Sequence, residues 1–212
     1  MVSIYQSKTV FQNLLRPLVK QLAAWQISPN QVTGSAILLS AATGLALVLS
    51  TQFIIPFFPT TQWVLLSLPI VLLARMALNA IDGMLAREHS QTTKFGCILN
   101  ELGDVLSDIA LYLPFSLISG ISAPLVVGIV IFAIASEMAG VLGYEIDHKR
   151  HYEGPMGKSD RAFVFGLIGL LLGLGIAPTQ WLTILLSGVI FLQIWTIINR
   201  VQGMLQEVES WT

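Results

Sequence analysis

Long apolar stretches separated by short polar connections dominate this chain. No charged residue lies between Lys20 and Arg75, a run of 54 residues, and none between Arg161 and Arg200, a run of 38. A membrane-crossing helix needs about 20 mostly apolar residues, so each run holds two spans and a turn. The whole pattern predicts six spans: roughly Gln31–Ser50, Gln62–Arg87, Phe95–Ile118, Ala123–Tyr144, Ala162–Ile176 and Gln180–Ile198. The fifth is the shortest and is rich in glycine. Ahead of them, Phe11, Leu14, Leu15, Leu18 and Leu22 recur at helical spacing, with Gln12, Arg16 and Lys20 opposite. Residues 1–30 therefore predict an amphipathic leader helix lying in the membrane interface. Lys8, Arg16 and Lys20 interrupt that segment, so it does not read as a secretory signal.

Composition sharpens this picture. The 212 residues are 54% hydrophobic and only 11% charged, and mean hydropathy is +0.75. A soluble domain carries about twice that charge fraction. A cytosolic globule, a disordered chain and a nucleic-acid binder are excluded on these grounds, and a formal charge of −1 gives no global basic pull. The lone Cys97 rules out an internal disulfide. The expected architecture is all-α, a single polytopic membrane domain over 1–212.

The cations report orientation. The linkers Thr51–Thr61, Ser119–Ser122 and Ala177–Thr179 carry no charge, and all eleven Lys and Arg residues fall in the leader or near the alternate connections. Cytoplasmic ends of membrane proteins collect Lys and Arg. Both termini and the loops near 88–94 and 148–161 are thus expected to face the cytoplasm of a bacterial-type inner membrane. No internal repeat is visible, which disfavours a transporter built from inverted halves.

Two span ends carry the candidate chemistry. At 100° per residue, Arg75, Asn79, Asp82 and Ala86 share an arc of roughly 60°. On the next span Asn100, Asp104 and Asp108 follow at i, i+4 and i+8, with Glu101 almost in line. Acids at membrane depth require a partner, a water-filled cavity or a cation. Oxygen ligands around a phosphate-bearing substrate are a typical Mg²⁺ environment. Gly83, Ala86, Gly96 and Gly103 let a helix or ligand approach the backbone. A buried salt-bridge network with helix-packing glycines would give the same pattern. Glu137, alone in the fourth span, needs a partner, and Arg75 is one candidate. No metal is expected at His148 or His151.

The stretch Asp82-Gly83-x2-Ala86-Arg87-x8-Gly96-x3-Asn100-x3-Asp104 resembles the signature of the CDP-alcohol phosphotransferase (CDP-alcohol phosphatidyltransferase) family. Ile27-Ser-Pro29-Asn30-Gln-Val-Thr33 and Gly154-Pro155-Met-Gly157-Lys158-Ser159-Asp160-Arg161 resemble two further elements of that family. The resemblance implies transfer of a substituted phosphate from a CDP-linked donor, expected to be CDP-diacylglycerol, to an acceptor alcohol, with release of CMP. It implies Mg²⁺ or Mn²⁺ held by Asn79, Asp82, Asn100 and Asp104, with Asp82 and Asp104 catalytic and Asp104 the general base. By resemblance, Asn30, Thr33, Gly83, Ala86, Arg87 and Gly96 contact the nucleotide. Lys158, Ser159 and Arg161 form a patch for phosphate or acceptor, with the helix N-terminus adding amide donors. Relatives are often dimers, so a homodimer is also an expectation.

Two of the four metal positions are amides here, not aspartates. An amide oxygen can ligate Mg²⁺ but brings no charge. Three outcomes stay open: weaker metal binding, compensation by Glu101 or Asp108, or loss of chemistry with nucleotide binding kept. The expected reading is an active phospholipid-synthesising enzyme. Its rivals are a catalytically silent CDP-lipid-binding membrane protein and a small transporter.

Overall fold

The structure, a computed structural model, describes residues 4–53 and 60–209. They form seven α-helices: α1 Ile4–Ala24, α2 Pro29–Gln52, α3 Thr61–Glu88, α4 Lys94–Tyr112, α5 Ala123–Ile146, α6 Lys158–Gly173 and α7 Gln180–Glu209. A short 3₁₀ turn, Leu113–Leu117, follows α4. No strand occurs among the described residues. The centre of the Thr51–Thr61 connection, 54–59, lies outside them.

Local sequence explains the boundaries. Ser28 caps α2 through a reciprocal pair: its hydroxyl accepts from the Gln31 amide at 3.3 Å, and Gln31 Oε1 accepts from the Ser28 amide at 2.8 Å. Pro29 follows at the first helical position, where its missing N–H costs nothing. The third predicted span ran on to Ile118, but α4 stops at Tyr112. Pro114 lacks the amide hydrogen that a longer α-helix would use, and the chain tightens into the 3₁₀ turn instead. Helix α6 begins a turn earlier than predicted, where Asp160 accepts from the Gly157 amide at 2.9 Å. It ends by Gly173, before Gly175 turns the chain at φ 88°. Helix α7 passes Ile198 without a breaker and extends to Glu209.

The helices bury their faces against one another in the pairs α2–α3, α3–α6, α2–α4 and α5–α7. One core unites Leu47, Leu68, Leu72, Ile129, Phe165 and Leu182. Phe165 stacks on Tyr112 at 4.1 Å between ring centroids and meets Phe115 edge-on at 5.1 Å. A second core joins Val19 of α1 to Ile81, Met84 and Leu85 of α3. A β-carbon at Gly44 would fall 1.9 Å from the Ala110 carbonyl oxygen, so only glycine lets α2 and α4 cross this closely.

Among the described residues four helices, α2, α3, α5 and α7, are long and apolar enough to cross a membrane. Their outward faces carry large apolar side chains, such as Ile70 and Ile184, each 72% exposed. Water would penalise such surfaces, whereas hydrocarbon does not. The chain is an all-helical membrane protein.

Candidate active site where α2, α3, α4 and α6 meet

The predicted polar stripes of α3 and α4 do face each other. Asp82, on α3, is 5% exposed, and Asp104, on α4, is also 5% exposed. The two carboxylates are electrostatic neighbours, and Lys158 lies within electrostatic reach of Asp82. Thr33 of α2 donates its hydroxyl to Asp82 Oδ2 at 2.8 Å. The Asn79 amide donates to Asp104 Oδ1 at 2.9 Å. Asp104 Oδ2 accepts from the Lys158 ammonium, which reaches in from the first turn of α6. Asn79, Asp82 and Asp104, expected together as metal ligands, therefore form one cluster with Thr33 and Lys158, which were expected in other roles.

Other predicted residues lie on the same four helices. The N-cap Thr93 accepts from the Gly96 amide at 2.9 Å and starts α4. A β-carbon at Gly96 would fall 2.6 Å from Asn30 Oδ1, so α4 begins directly against the opening turn of α2. Asn100 is half-buried on the same helix. Arg87 is exposed, with its guanidinium lying alongside Gly83, and Ala86 is half-buried. Ser159 is exposed at the start of α6.

Asp108 and Glu101, considered as substitute metal ligands, are engaged elsewhere. Asp108 Oδ1 accepts from Arg75 at 2.6 Å, and Oδ2 accepts from Arg161 Nε and Nη2 at 3.0 and 2.9 Å. Arg75 also donates to the Asp104 backbone carbonyl at 3.0 Å. Glu101 pairs with Arg150. Arg161, predicted on a phosphate-binding surface, is 0% exposed. Its donors go to Asp108, to Glu137 Oε1 at 2.8 Å, and to Ser136 Oγ and the Met156 carbonyl at 3.3 Å each.

Arg75 is not the partner of Glu137. Arg161 and Arg150 hold that carboxylate, Arg150 at 2.7 Å, and Arg200 approaches within 3.9 Å. Helix α3 carries Arg75 to α4 instead, where two aspartates need it more. Sequence reading missed Arg150 and Arg200 in this network. The signal available was an isolated charge within an apolar helix, which demands a partner.

The cytoplasm-predicted loop after α5 is anchored too. His151, 1% exposed, has Nε2 at 2.5 Å from Asp147 Oδ2 and Nδ1 at 3.1 Å from Glu153 Oε2. Burial acts to raise the Asp147 carboxyl, but the His151 hydrogen bond and the Lys149 amide hold it below its ordinary value.

Among the described residues no three His, Cys, Asp or Glu side chains converge to hold a metal. The donors at the site are nevertheless hard oxygens: two carboxylates, the Asn79 side-chain amide and a threonine hydroxyl. Such a set suits a cation of the Mg²⁺ type when a substrate or water completes it.

Known proteins resemble this chain in sequence and in fold. A curated relative, inner membrane protein YnbA of Escherichia coli strain K12, is 46% identical over 204 residues, covering 96% of this chain and 97% of its own. The fold matches phosphatidylinositol phosphate synthase PgsA1 of Mycobacterium tuberculosis crystallised with CDP-DAG, at TM-score 0.69 and 18% identity, covering 89% of this chain and 92% of that one. The same enzyme crystallised with manganese and citrate matches at TM-score 0.69 and 16% identity, covering 89% and 87%. The sequence profile of the CDP-alcohol phosphatidyltransferases matches residues 26–198, and the chain belongs to that family of phospholipid head-group transferases.

Proposed function

We propose that this protein transfers a phosphatidyl group from CDP-diacylglycerol to an alcohol, releasing CMP, at the Asp82–Asp104 cluster. The observation that carries the reading is the convergence of those two buried carboxylates with Thr33, Asn79 and Lys158 from four helices. The acceptor oxygen bonds to the phosphorus that bears the lipid. The bond from that phosphorus to the bridging oxygen breaks, and CMP leaves with the electron pair. Asp104 takes the hydroxyl proton. Asp82, Asp104, Asn79 and Asn100 would hold Mg²⁺ or Mn²⁺, which supplies charge stabilisation at the pyrophosphate. Asn30, Thr33, Gly83, Ala86, Arg87 and Gly96 form the nucleotide surface, and Lys158 and Ser159 meet phosphate. Arg161 acts from beneath, fixing Asp108 and Glu137.

Six helices, α2 to α7, cross the bilayer in this reading. Helices α4 and α6 are admitted because their polar residues face the cluster. Helix α1 lies in the interface, with Val19 packed on α3 and exposed Leu14 and Leu18 turned toward lipid. The loops at 88–94 and 147–157 face the cytoplasm. Labelling of single cysteines in a Cys97-free background reports this orientation, and labelling at Gln62 from the cytoplasmic side alone would overturn it.

The deciding experiment is release of CMP from CDP-diacylglycerol by protein in lipid nanodiscs with Mg²⁺ and a panel of alcohols. Asp82→Asn and Asp104→Asn keep shape while removing charge, and turnover is expected to fall at least about 100-fold in each. Full turnover in chelator or in both variants would sink the mechanism. The two amides favour a second reading, a silent CDP-lipid binder. CDP binding without CMP release across the whole panel would establish that instead.

A further inference from the structure

The site is short of negative charge, and the structure shows where a positive charge has come in. Asp104 meets donors at both oxygens: Asn79 at Oδ1 and the Lys158 ammonium at Oδ2. Lys158 keeps a third of its side chain exposed, whereas that of Asp104 is only 6% exposed. The ammonium thus enters from the open side of the cluster onto a carboxylate that the bundle holds in place. Glu101 and Asp108 cannot supply the missing charge, because arginines already engage both.

The charges decide how many metal ions this arrangement tolerates. Four carboxylates would neutralise two divalent ions. Asp82 and Asp104 with Lys158 carry one net negative charge, which a single divalent ion more than balances. Before a nucleotide brings negative charge of its own, a second ion would leave three uncompensated positive charges within a few ångströms in a half-buried site, where repulsion is weakly screened. A lysine ammonium is a compact point charge on a flexible stem, suited to standing where a cation would.

We infer that Lys158 is a built-in cation at Asp104, so that this site, before nucleotide binds, takes one divalent ion rather than two. The inference rests on the proposed phosphatidyl-transfer site and deepens it. It concerns ion binding, so its test does not depend on knowing the acceptor.

The test counts bound Mn²⁺ by electron paramagnetic resonance in full-length protein in nanodiscs without nucleotide, with CDP binding measured separately on the same protein. Wild type is expected to bind one Mn²⁺ per chain. Lys158→Met should bind that ion at least about tenfold more tightly, because a competing cation has gone. Lys158→Arg should keep the wild-type affinity. Lys158→Met combined with Asn79→Asp and Asn100→Asp should bind two ions. Two ions per wild-type chain would overturn the inference, as would Lys158→Met with unchanged Mn²⁺ affinity while CDP still binds. Should the triple variant misfold, the wild-type count and the single-variant affinities still decide. Failure of wild type to bind CDP at all would refute the phosphatidyl-transfer reading and take this inference with it. CDP binding with no Mn²⁺ would refute the inference alone.

Discussion

Asp104 and Asp108 stand one turn apart on α4 and are almost equally buried, at 5% and 4% exposure, yet they keep different company. Asp108 receives three charge-assisted hydrogen bonds from two arginines that are themselves buried. Asp104 receives a neutral amide and a lysine that remains partly open to the outside, with Arg75 only 3.6 Å from Oδ1. Guanidinium pairing to both carboxylate oxygens suits architecture, because it fixes geometry and resists exchange. A carboxylate met by a neutral amide and a mobile ammonium can still trade partners, as chemistry requires. Burial alone does not distinguish a structural acid from a reactive one. The identity of the donors does.

The largest effect should come from breaking the saturated region. Arg161→Met leaves Asp108 and Glu137 short of their shared partner, and removing one member of a buried pair typically costs about 3–5 kcal/mol. The melting temperature in detergent should drop accordingly, whereas Asp104→Asn should shift it far less while removing turnover. Equal melting of Arg161→Met and wild type would dissolve the distinction between the two regions.

A smaller effect is expected at the edge of the network. Glu101 carries a side chain that is 26% exposed and pairs with Arg150, which also holds Glu137. Glu101→Gln should cost about 1 kcal/mol and leave the Mg²⁺ concentration for half-maximal rate unchanged. A clear rise in that concentration would return Glu101 to the metal site and blur the boundary between the regions.

The smallest effect belongs to the surface. Arg16 and Glu88 pair at 3.1 Å, with side chains 43% and 37% exposed. Solvent screens such pairs, so Arg16→Ala should change stability by no more than about 0.5 kcal/mol. A melting shift as large as that of Arg161→Met would mean that α1 is tied to α3 by charge as well as by Val19.

The sequence by itself determined the elements and the two polar stripes. Its apolar runs are long enough for hydrocarbon, and helical geometry is fixed at 100° per residue, so Asn79 and Asp82 had to share a face, as did Asn100, Asp104 and Asp108. It also determined that the acids need compensation, since charge in an apolar bundle is costly wherever it lies. Only the tertiary structure decided which acid meets which cation. Lys158 is 54 residues from Asp104, and Arg161 is 53 from Asp108. Both cations sit in the first turn of α6, three positions apart. Hydropathy treats the two alike. The packing of α6 against α3 carries Arg161 into the interior and leaves Lys158 at the opening, and that placement is what separates the fixed network from the reactive site.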